Sequence, residues 1–274
     1  MGLLCKNKFL CYGLPFEVNF NQVVLIYHQI STKKVQNKYI FQKNEFIEQL
    51  SLFKHFGMVS EIIDEYLNNA LKQNGAYRKK IFITFDDGHE SDYNIVMPAL
   101  LENNFKATFF ITSDWINTDG YLSKDQIREL SSHGMSIQSH AKTHRFLDEM
   151  SIFELHDELM SSKETIENII GRDVSYLSVP GGRFNRVVLE VAEKVGYKAV
   201  CTSTPYRFQY SFGIYQIGRI GLREPIDEQK IKKLVCPTRY NALLLVNSYL
   251  AKRMAKKVIG NKMYYQIWKM LIKK

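Results

Sequence analysis

The stretch Ile81-Phe82-Ile83-Thr84-Phe85-Asp86-Asp87-Gly88 decides the fold of this chain. Its first five residues are mostly β-branched or aromatic, as is typical of a buried strand, and two adjacent carboxylates follow directly. An Asp-Gly pair between apolar runs can also form a hairpin turn, but the residues after Gly88 are polar and then helical in pattern. Because neighbouring carboxylates repel each other, a bound cation for one and a proton-transfer role for the other would explain the pair.

Strand and helix patterns alternate along the rest of the chain. The spacing of apolar residues predicts strands over 23–27, 81–85, 107–112, 135–139, 176–179, 198–202 and 214–220. It predicts helices over 44–56, 60–72, 92–103, 123–133, 151–170 and 185–195. Ser123 with Gln126, and Ser151 with Glu154, form capping-box patterns at two helix starts, and Gly171 is placed to end the long helix. This alternation favours an α/β fold with a parallel sheet and helices outside it.

Polar residues and glycines fall immediately after four of the predicted strands. They are His28, the Asp86-Asp87 pair, His140 and the loop Pro180-Gly181-Gly182. In a (β/α) barrel the carboxyl ends of the strands gather on one face, and that face carries the chemistry. We therefore expect these residues to meet at one mouth of the fold.

The net charge of +9 is unevenly distributed. Residues 239–274 contain nine Lys/Arg and no Asp/Glu, which leaves 28 basic and 28 acidic residues in the first 238. A balanced body argues against nucleic-acid binding, and the chain has neither a phosphate-binding Gly-Lys-Ser/Thr loop nor a dinucleotide glycine fingerprint. The apolar share of 45% and the charged share of 24% are ordinary globular values, which excludes disorder.

The termini suggest where the protein works. Residues 1–20 show no signal-peptide pattern, and no apolar run reaches the length of a membrane span, so we expect a cytoplasmic protein. The cysteines Cys5, Cys11, Cys201 and Cys236 lack metal-finger spacing and are expected to be free thiols. From Ala242 onward, apolar residues recur at helical spacing among the basic ones. This tail is predicted either to pack on the body or to contact an anionic membrane at its inner face, where Tyr264, Tyr265 and Trp268 would assist.

His140 and His144 form a His-x-x-x-His pattern. Two imidazoles four residues apart can share a metal if the segment forms a helical turn, although two unrelated surface histidines are the simpler interpretation. The neighbouring Asp86-Asp87 pair strengthens the metal hypothesis. Two histidines and one carboxylate are a common set for a catalytic divalent metal, with positions left for water and substrate.

These motifs together resemble the polysaccharide deacetylase family, whose catalytic unit is the NodB homology domain of carbohydrate esterase family 4. The resemblance lies in Thr84-Phe85-Asp86-Asp87-Gly88, His140-x-x-x-His144 and Ser178-Val179-Pro180-Gly181-Gly182, and it covers about residues 22–222. It implies a distorted (β/α) barrel that removes acetyl groups from N-acetylated sugars. It also implies a divalent metal, for which zinc is the first choice and cobalt, nickel and manganese are the alternatives. We accordingly predict a catalytic domain over 1–236 and a basic helical tail over 237–274.

The resemblance also implies roles for individual residues. Asp86 would be the general base; Asp87, His140 and His144 would hold the metal; and Gly181, in the loop with Pro180 and Gly182, would donate a backbone N–H to the oxyanion.

Two departures from the family pattern matter. Ser178 stands where the family commonly has the arginine that orients the base, so Arg183 or Arg219 would have to take its place. The late motif Ile217-Gly218-Arg219-Ile220-Gly221-Leu222 lacks the histidine that serves as general acid. The stretch 24–28, however, resembles the branch that deacetylates poly-N-acetylglucosamine exopolysaccharides, in which an N-terminal histidine takes this role, and His28 would be the acid. The alternatives are a hydrolase of another amide or of an O-acetyl ester, and a carbohydrate-binding barrel that has lost turnover.

Overall fold

A computed structural model describes residues 17–18, 22–71 and 79–259 of the protein. Cys5, Cys11, Tyr264, Tyr265 and Trp268 lie outside these ranges. The strands are β1 (Glu17–Val18), β2 (Gln22–Tyr27), β3 (Gln29–Ser31), β4 (Ile40–Gln42), β5 (Val59–Ser60), β6 (Lys80–Asp87), β7 (Ala107–Ile111), β8 (Ser136–Ser139), β9 (Tyr176–Ser178), β10 (Ala199–Thr202), β11 (Arg207–Ser211), β12 (Ile214–Gly218) and β13 (Ile220–Gly221). The α-helices are α1 (Lys43–His55), α2 (Ile63–Leu71), α3 (Met97–Glu102), α4 (Lys124–Ser132), α5 (Ile152–Ile170), α6 (Arg186–Val195), α7 (Glu228–Val235) and α8 (Arg239–Ile259).

Eleven of these strands form one sheet, in the order β1-β11-β12-β10-β9-β8-β7-β6-β2-β13, with β5 paired to the start of β6. All pairs from β13 to β12 are parallel, and β1 and β11 extend the sheet with antiparallel pairs. The α/β class with a parallel sheet is therefore confirmed.

The described strands do not close into a continuous hydrogen-bonded ring. The segment 214–221 nevertheless meets both edges of the parallel sheet. Its first strand, β12, pairs with β10, and its second strand, β13, pairs with β2. Arg219 is the residue between these two strands. Its position at this junction places it beside the ends of strands from both edges.

The two faces of the sheet are packed differently. Alternate residues of β6, such as Ile81, Ile83 and Phe85, pack on the helices in the main hydrophobic core. Phe82 belongs instead to a smaller apolar cluster on the opposite face, together with Val24, Phe110 and other residues. Because side chains alternate along a strand, Thr84 and Asp86 lie on the same face as Phe82. The carboxylate of Asp86 therefore points to the inside of the curved sheet.

Capping patterns in the sequence predicted two helix starts and one helix end correctly. Ser123 and Ser151 form the predicted capping boxes with Gln126 and Glu154, because each serine accepts from the backbone N–H three residues later. Gly171 ends α5 in the left-handed conformation, φ +66°, that glycine adopts without a Cβ penalty.

The structure differs from the predicted local structure at several points, and it excludes the alternative of a hairpin. The segment 60–72 starts with β5, and its helix, α2, begins only at Ile63. The segment predicted as a helix over 92–103 begins with a π-helical turn, Asp92–Val96, before α3. The strand β11 was not predicted at all, and it forms a hairpin with β12. The hairpin interpretation of Asp87-Gly88 is excluded, since β6 runs parallel to both β2 and β7.

The basic tail begins as part of the body. The side chains of Ala242 and Val246 on α8 are fully buried in the main core, while Tyr240, Leu244 and Met254 are exposed. Within the described residues, none of the helices combines the length and the apolar character that crossing a bilayer requires. Cys201 and Cys236 are free thiols, as predicted.

Candidate active site

Asp86 is held on the inner face of the sheet by a buried arginine. The guanidinium of Arg219 donates to both carboxylate oxygens, with 2.7 Å from Nη1 to Oδ1 and 2.8 Å from Nη2 to Oδ2. Ser178 Oγ donates to Oδ2 at 3.1 Å, and Arg219 also donates to Thr84 Oγ1 at 2.9 Å. Arg219 is 1% exposed, so this bidentate pair is shielded from water.

The charge of Arg219 determines the ionisation of Asp86. Burial disfavours the charged carboxylate, but the charges of Arg219 and His140 and the hydrogen bonds from Arg219 outweigh it. The pKa of Asp86 is therefore held well below its ordinary value. Asp86 is therefore ionised at neutral pH.

Asp87, His140 and His144 bring three potential metal-ligand atoms together. Asp87 Oδ1 lies 3.5 Å from His140 Nε2 and 3.3 Å from His144 Nε2, and the three residues form a group that could hold a metal. Ligand atoms at about 2.1 Å from a tetrahedral ion are about 3.4 Å apart. Asp87 Oδ1 is buried and accepts no well-aligned hydrogen bond from the described residues, as expected of a metal-ligand atom. The donor set therefore fits a divalent metal.

The segment from His140 to His144 is not the helical turn that the spacing suggested. Ala141 and His144 adopt left-handed backbone conformations, with φ of +64° and +62°, and Asp87 does the same with φ +84°. Side chains with a Cβ rarely adopt this region, and such strain concentrates at functional sites. The irregular backbone aims both Nε2 atoms at Asp87.

His140 has the tautomer that a metal ligand needs. Its Nδ1 lies 2.8 Å from the carbonyl oxygen of Ser178 and donates its proton there, which leaves the Nε2 lone pair directed at Asp87. Burial lowers the pKa of His140 despite the nearby charges of Asp86 and Asp87. A neutral imidazole is the form that binds a metal.

His144 is positioned by Asp87 and by an aromatic stack. Burial opposes its charged form, but the contact with Asp87 and the charge of this carboxylate outweigh burial and raise the pKa of His144. The Trp115 ring stacks on the imidazole at a centroid distance of 5.0 Å. Tyr121 packs at 4.8 Å from Trp115, and His89 stacks on Tyr121 at 4.8 Å.

A carboxylate on α5 holds the backbone between the two histidines. Glu158 Oε1 accepts from the backbone N–H groups of Lys142 and Thr143, at 3.0 and 2.6 Å, and from the Thr143 hydroxyl at 3.0 Å. Glu158 is buried, so losing this carboxylate would leave these donors without a partner. Neither Glu158 nor Trp115 was identified from the sequence, because no local pattern links α5 or 113–115 to His140 and His144.

His28 and Asp87 line the same cavity. This cavity has a volume of about 240 Å³, and Tyr39 and His89 also line it. His28 Nδ1 is buried without a hydrogen-bond partner among the described residues, and the Tyr39 ring lies 5.5 Å from the imidazole. Burial disfavours the charged form of Asp87, but the contact with His144 and the charges of His140 and His28 outweigh burial. The pKa of Asp87 is therefore lowered.

The Pro180-Gly181-Gly182 loop forms a short 3₁₀ turn after β9, with Pro180 buried and Gly181 exposed. Gly181 has φ +63°, and its N–H has no acceptor among the described residues. Gly182 has φ +68°, and a Cβ there would lie 2.5 Å from Ser203 Oγ, so only glycine fits.

The two candidate arginines have different partners. Arg183 pairs with Asp148 at 3.1 Å and with Glu149 at 2.6 Å. No contact between Arg183 and Asp86 is present in the described part of the chain, so Arg219 is the arginine that the structure places on the Asp86 carboxylate.

Fold and site together define an α/β enzyme with an arginine-held carboxylate and a cation-ligand set at the carboxyl edge of a parallel sheet. The sequence profile of the polysaccharide deacetylase family matches residues 73–200, which include Asp86, Asp87, both histidines and the glycine loop. Residues 73–200 are just under half of the chain, and over this span the chain is similar to the polysaccharide deacetylase family.

Individual relatives agree with this family. YxkH of Bacillus subtilis is 29% identical over 72% of this chain and 70% of its own length. Peptidoglycan-N-acetylmuramic acid deacetylase PdaA of the same organism is 31% identical over 54% of this chain and 55% of its own length. The deacetylase PplD of Streptococcus pyogenes, solved in complex with acetate, superposes with a TM-score of 0.72 over 78% of this chain and 97% of PplD. At 23% identity, this last likeness concerns the fold.

Proposed function

We propose that the protein is a metal-dependent deacetylase that removes acetyl groups from N-acetylated sugars of a polysaccharide or glycan precursor. The observation that carries the proposal is the group of Asp87, His140 and His144 beside the arginine-held carboxylate of Asp86. The family profile supports the removal of acetyl groups from a polysaccharide, and the similarity to peptidoglycan-N-acetylmuramic acid deacetylase PdaA favours an acetyl amide. Two imidazoles and a carboxylate favour zinc over the harder cations, with cobalt, nickel and manganese as alternatives.

Four groups near the cluster have roles in the proposed amide hydrolysis, namely Asp86, Arg219, the Gly181 N–H and His28. A divalent metal bound by the three ligands would polarise the acetamide carbonyl and acidify a water molecule. Asp86 accepts the proton of the attacking water, and Arg219 fixes the direction of its carboxylate. The Gly181 N–H donates to the carbonyl oxygen as negative charge develops there, a contribution worth about 3 kcal/mol. Protonated His28 donates to the sugar nitrogen as the carbon–nitrogen bond breaks, so that acetate and a free amine are released.

The substitution Asp86→Asn tests the role of the base. The amide keeps the size of the side chain but cannot accept the proton, so acetate release from N-acetylglucosamine oligomers should be abolished while zinc still binds. Acetate is measured by an enzyme-coupled assay and zinc by isothermal titration. Asp125→Asn is the matched control, since this carboxylate is exposed on α4.

Three outcomes contradict specific parts of the proposal. Full activity of the Asp86→Asn protein would exclude Asp86 as the base, and activity that persists after chelation would exclude the metal. Acetate release from O-acetylated xylan but not from N-acetylglucosamine oligomers would replace the amide substrate with an ester.

We propose in addition that α8 contacts an anionic membrane surface. The proposal is supported by the exposed side chains Tyr240, Leu244, Lys252 and Met254 on α8, and by the absence of acidic residues from the tail region. The full chain with Lys252→Glu and Met254→Glu should bind phosphatidylglycerol vesicles more weakly than the wild type in co-sedimentation. Equal binding would contradict the contact. Truncation of the chain at Cys236 would not test this contact, because it also removes the core residues Ala242 and Val246.

A further inference from the structure

Phe146 is an exposed aromatic ring beside the candidate site. It follows His144 by two residues and is 42% exposed, although the next residue, Leu147, is buried in the core. An aromatic ring so open to water contributes little to the core, and leaving its apolar surface in water has a cost. Its surroundings therefore indicate what the exposed surface could contact.

One face of the Phe146 ring is covered by a fixed arginine. The guanidinium carbon of Arg183 lies 4.3 Å from the ring centroid. Arg183 is held there by Asp148 at 3.1 Å and Glu149 at 2.6 Å, so both its charge and its position are set by neighbouring carboxylates. This arrangement covers one face of the ring and pairs the charge of Arg183 with two carboxylates.

One edge of the same ring touches Gly181. A Cβ built on Gly181 would lie 2.8 Å from Phe146 Cε1, 3.5 Å from Cδ1 and 3.9 Å from Cζ. This steep rise between adjacent ring atoms is the pattern of an approach to the ring edge, whereas an approach over the face would give nearly equal distances. With Arg183 on one face and Gly181 at the edge, the exposed area belongs mainly to the opposite face.

We propose that this open face of Phe146 is a subsite for a pyranose ring of the glycan substrate. The inference rests on the proposed function and extends it to a residue that positions the sugar. An N-acetylglucosamine ring carries its substituents equatorially and presents axial C–H groups on each face. Such a surface packs on an aromatic face, whose negative quadrupole attracts C–H hydrogens. Because the ring edge adjoins Gly181, a sugar stacked there would lie beside the loop whose N–H is proposed to bind the acetamide oxygen.

The chain offers a matched control at α5. Phe153 is 90% exposed on the first turn of that helix, and no ion pair or ring contact of its side chain occurs among the described residues. If apolar exposure alone attracted oligosaccharides, removing either phenylalanine would have the same effect. The subsite requires the effect at Phe146 and not at Phe153.

The test compares Phe146→Ala, Phe146→Tyr and Phe153→Ala with the wild type on N-acetylglucosamine oligomers. We expect Phe146→Ala to raise KM roughly 10-fold with little change in kcat, a factor equal to about 1.4 kcal/mol of lost stacking. Phe146→Tyr keeps the ring face and should retain the wild-type KM, as should Phe153→Ala. Zinc affinity is measured in parallel, because Phe146 follows the ligand His144 closely.

A binding titration separates this proposal from the proposed function. The affinity for the oligomer is compared between Asp86→Asn and Asp86→Asn/Phe146→Ala, where no turnover is needed, and the second protein should bind about 10-fold more weakly. Equal affinities, an equal loss in Phe153→Ala, or a weakening explained by lost zinc affinity would each overturn the subsite. Absence of acetate release by the wild type would overturn the deacetylase function, and the titration would still decide whether Phe146 contacts the sugar.

Discussion

At the scale of single residues, the pairing of Asp86 with Arg219 has the largest consequence. A buried carboxylate without a partner would be protonated, because burial disfavours its charge. Arg219 reverses this tendency with two parallel hydrogen bonds, and Ser178 adds a third. The sequence departure at Ser178, where an arginine was expected, is thus offset by an arginine from another part of the chain.

The substitution Arg219→Lys tests this pairing. Lysine keeps the charge but cannot donate in parallel to both carboxylate oxygens, so Asp86 loses its fixed direction. We expect kcat/KM to fall about 100-fold, the order of loss that follows from misplacing a reacting group by roughly 1 Å. Steady-state kinetics on N-acetylglucosamine oligomers measure the change. Arg128→Lys, on the exposed face of α4, is the control, and wild-type kcat/KM in the Arg219→Lys protein would refute the orienting role.

At the scale of secondary-structure elements, a carboxyl group of α1 lies close to one of the loop before α7. Glu45 closes the capping box by accepting from the Gln42 N–H at 2.8 Å. Glu224, which follows β13, lies close enough to share a proton with Glu45. Burial, the hydrogen bond with Glu45 and the charge of Glu45 together raise the pKa of Glu224 to about 7. We therefore expect the junction between α1 and the loop before α7 to be sensitive to pH.

The sign of this dependence follows from the raised pKa of Glu224. The folded protein binds this proton more tightly than the unfolded chain, so the stabilisation is complete below the ordinary pKa of 4.5 and is lost as the pH rises towards 7. Relative to Glu224→Gln, the wild type should lose stability over that interval. Urea denaturation at several pH values measures the difference. Parallel pH profiles of the two proteins would contradict the shared proton, and Glu228→Gln, exposed on α7, is the control.

At the scale of the whole molecule, the metal cluster links separate parts of the chain. Asp87 ends β6, whereas His140 and His144 belong to the loop after β8. The strand β7 lies between β6 and β8 and pairs with both strands. A ligand that binds only the folded state stabilises it, and the three ligand atoms come together only in that state. Metal binding should therefore raise the stability of the entire domain.

Zinc titration followed by thermal unfolding tests this link. At a zinc concentration about 100 times the Kd, binding adds about 2.7 kcal/mol to the free energy of unfolding, and Tm should rise accordingly. A chelator should reverse the shift. His144→Ala should abolish it, whereas His133→Ala, an exposed histidine at the end of α4, should preserve it. An equal zinc-induced shift in His144→Ala would exclude His144 as a ligand.

Much of the fold could be predicted because its signals are local. Apolar periodicity located the parallel strands and most of the helices, and short-range capping patterns located the starts of α4 and α5. The hairpin strand β11 and the π-helical turn at Asp92 were not predicted. The alternation of polar and aromatic residues over Arg207–Ser211 is typical of a half-buried strand and was overlooked. The pairing of β11 with β12 and β1, by contrast, depends on the completed sheet.

The sequence by itself determined that Asp86, Asp87, His140 and the glycine loop lie at the carboxyl ends of strands or directly after them. Parallel strands bring such residues to one edge of the sheet. Only the tertiary structure decided between Arg183 and Arg219 as the partner of Asp86, because Arg219 reaches it across 133 residues of chain. The left-handed backbone at Asp87 and His144, and the brace from Glu158, were likewise decided by packing. The physical reason is that strand and helix periods are short-range properties, whereas the direction of a charged side chain depends on all its neighbours in space.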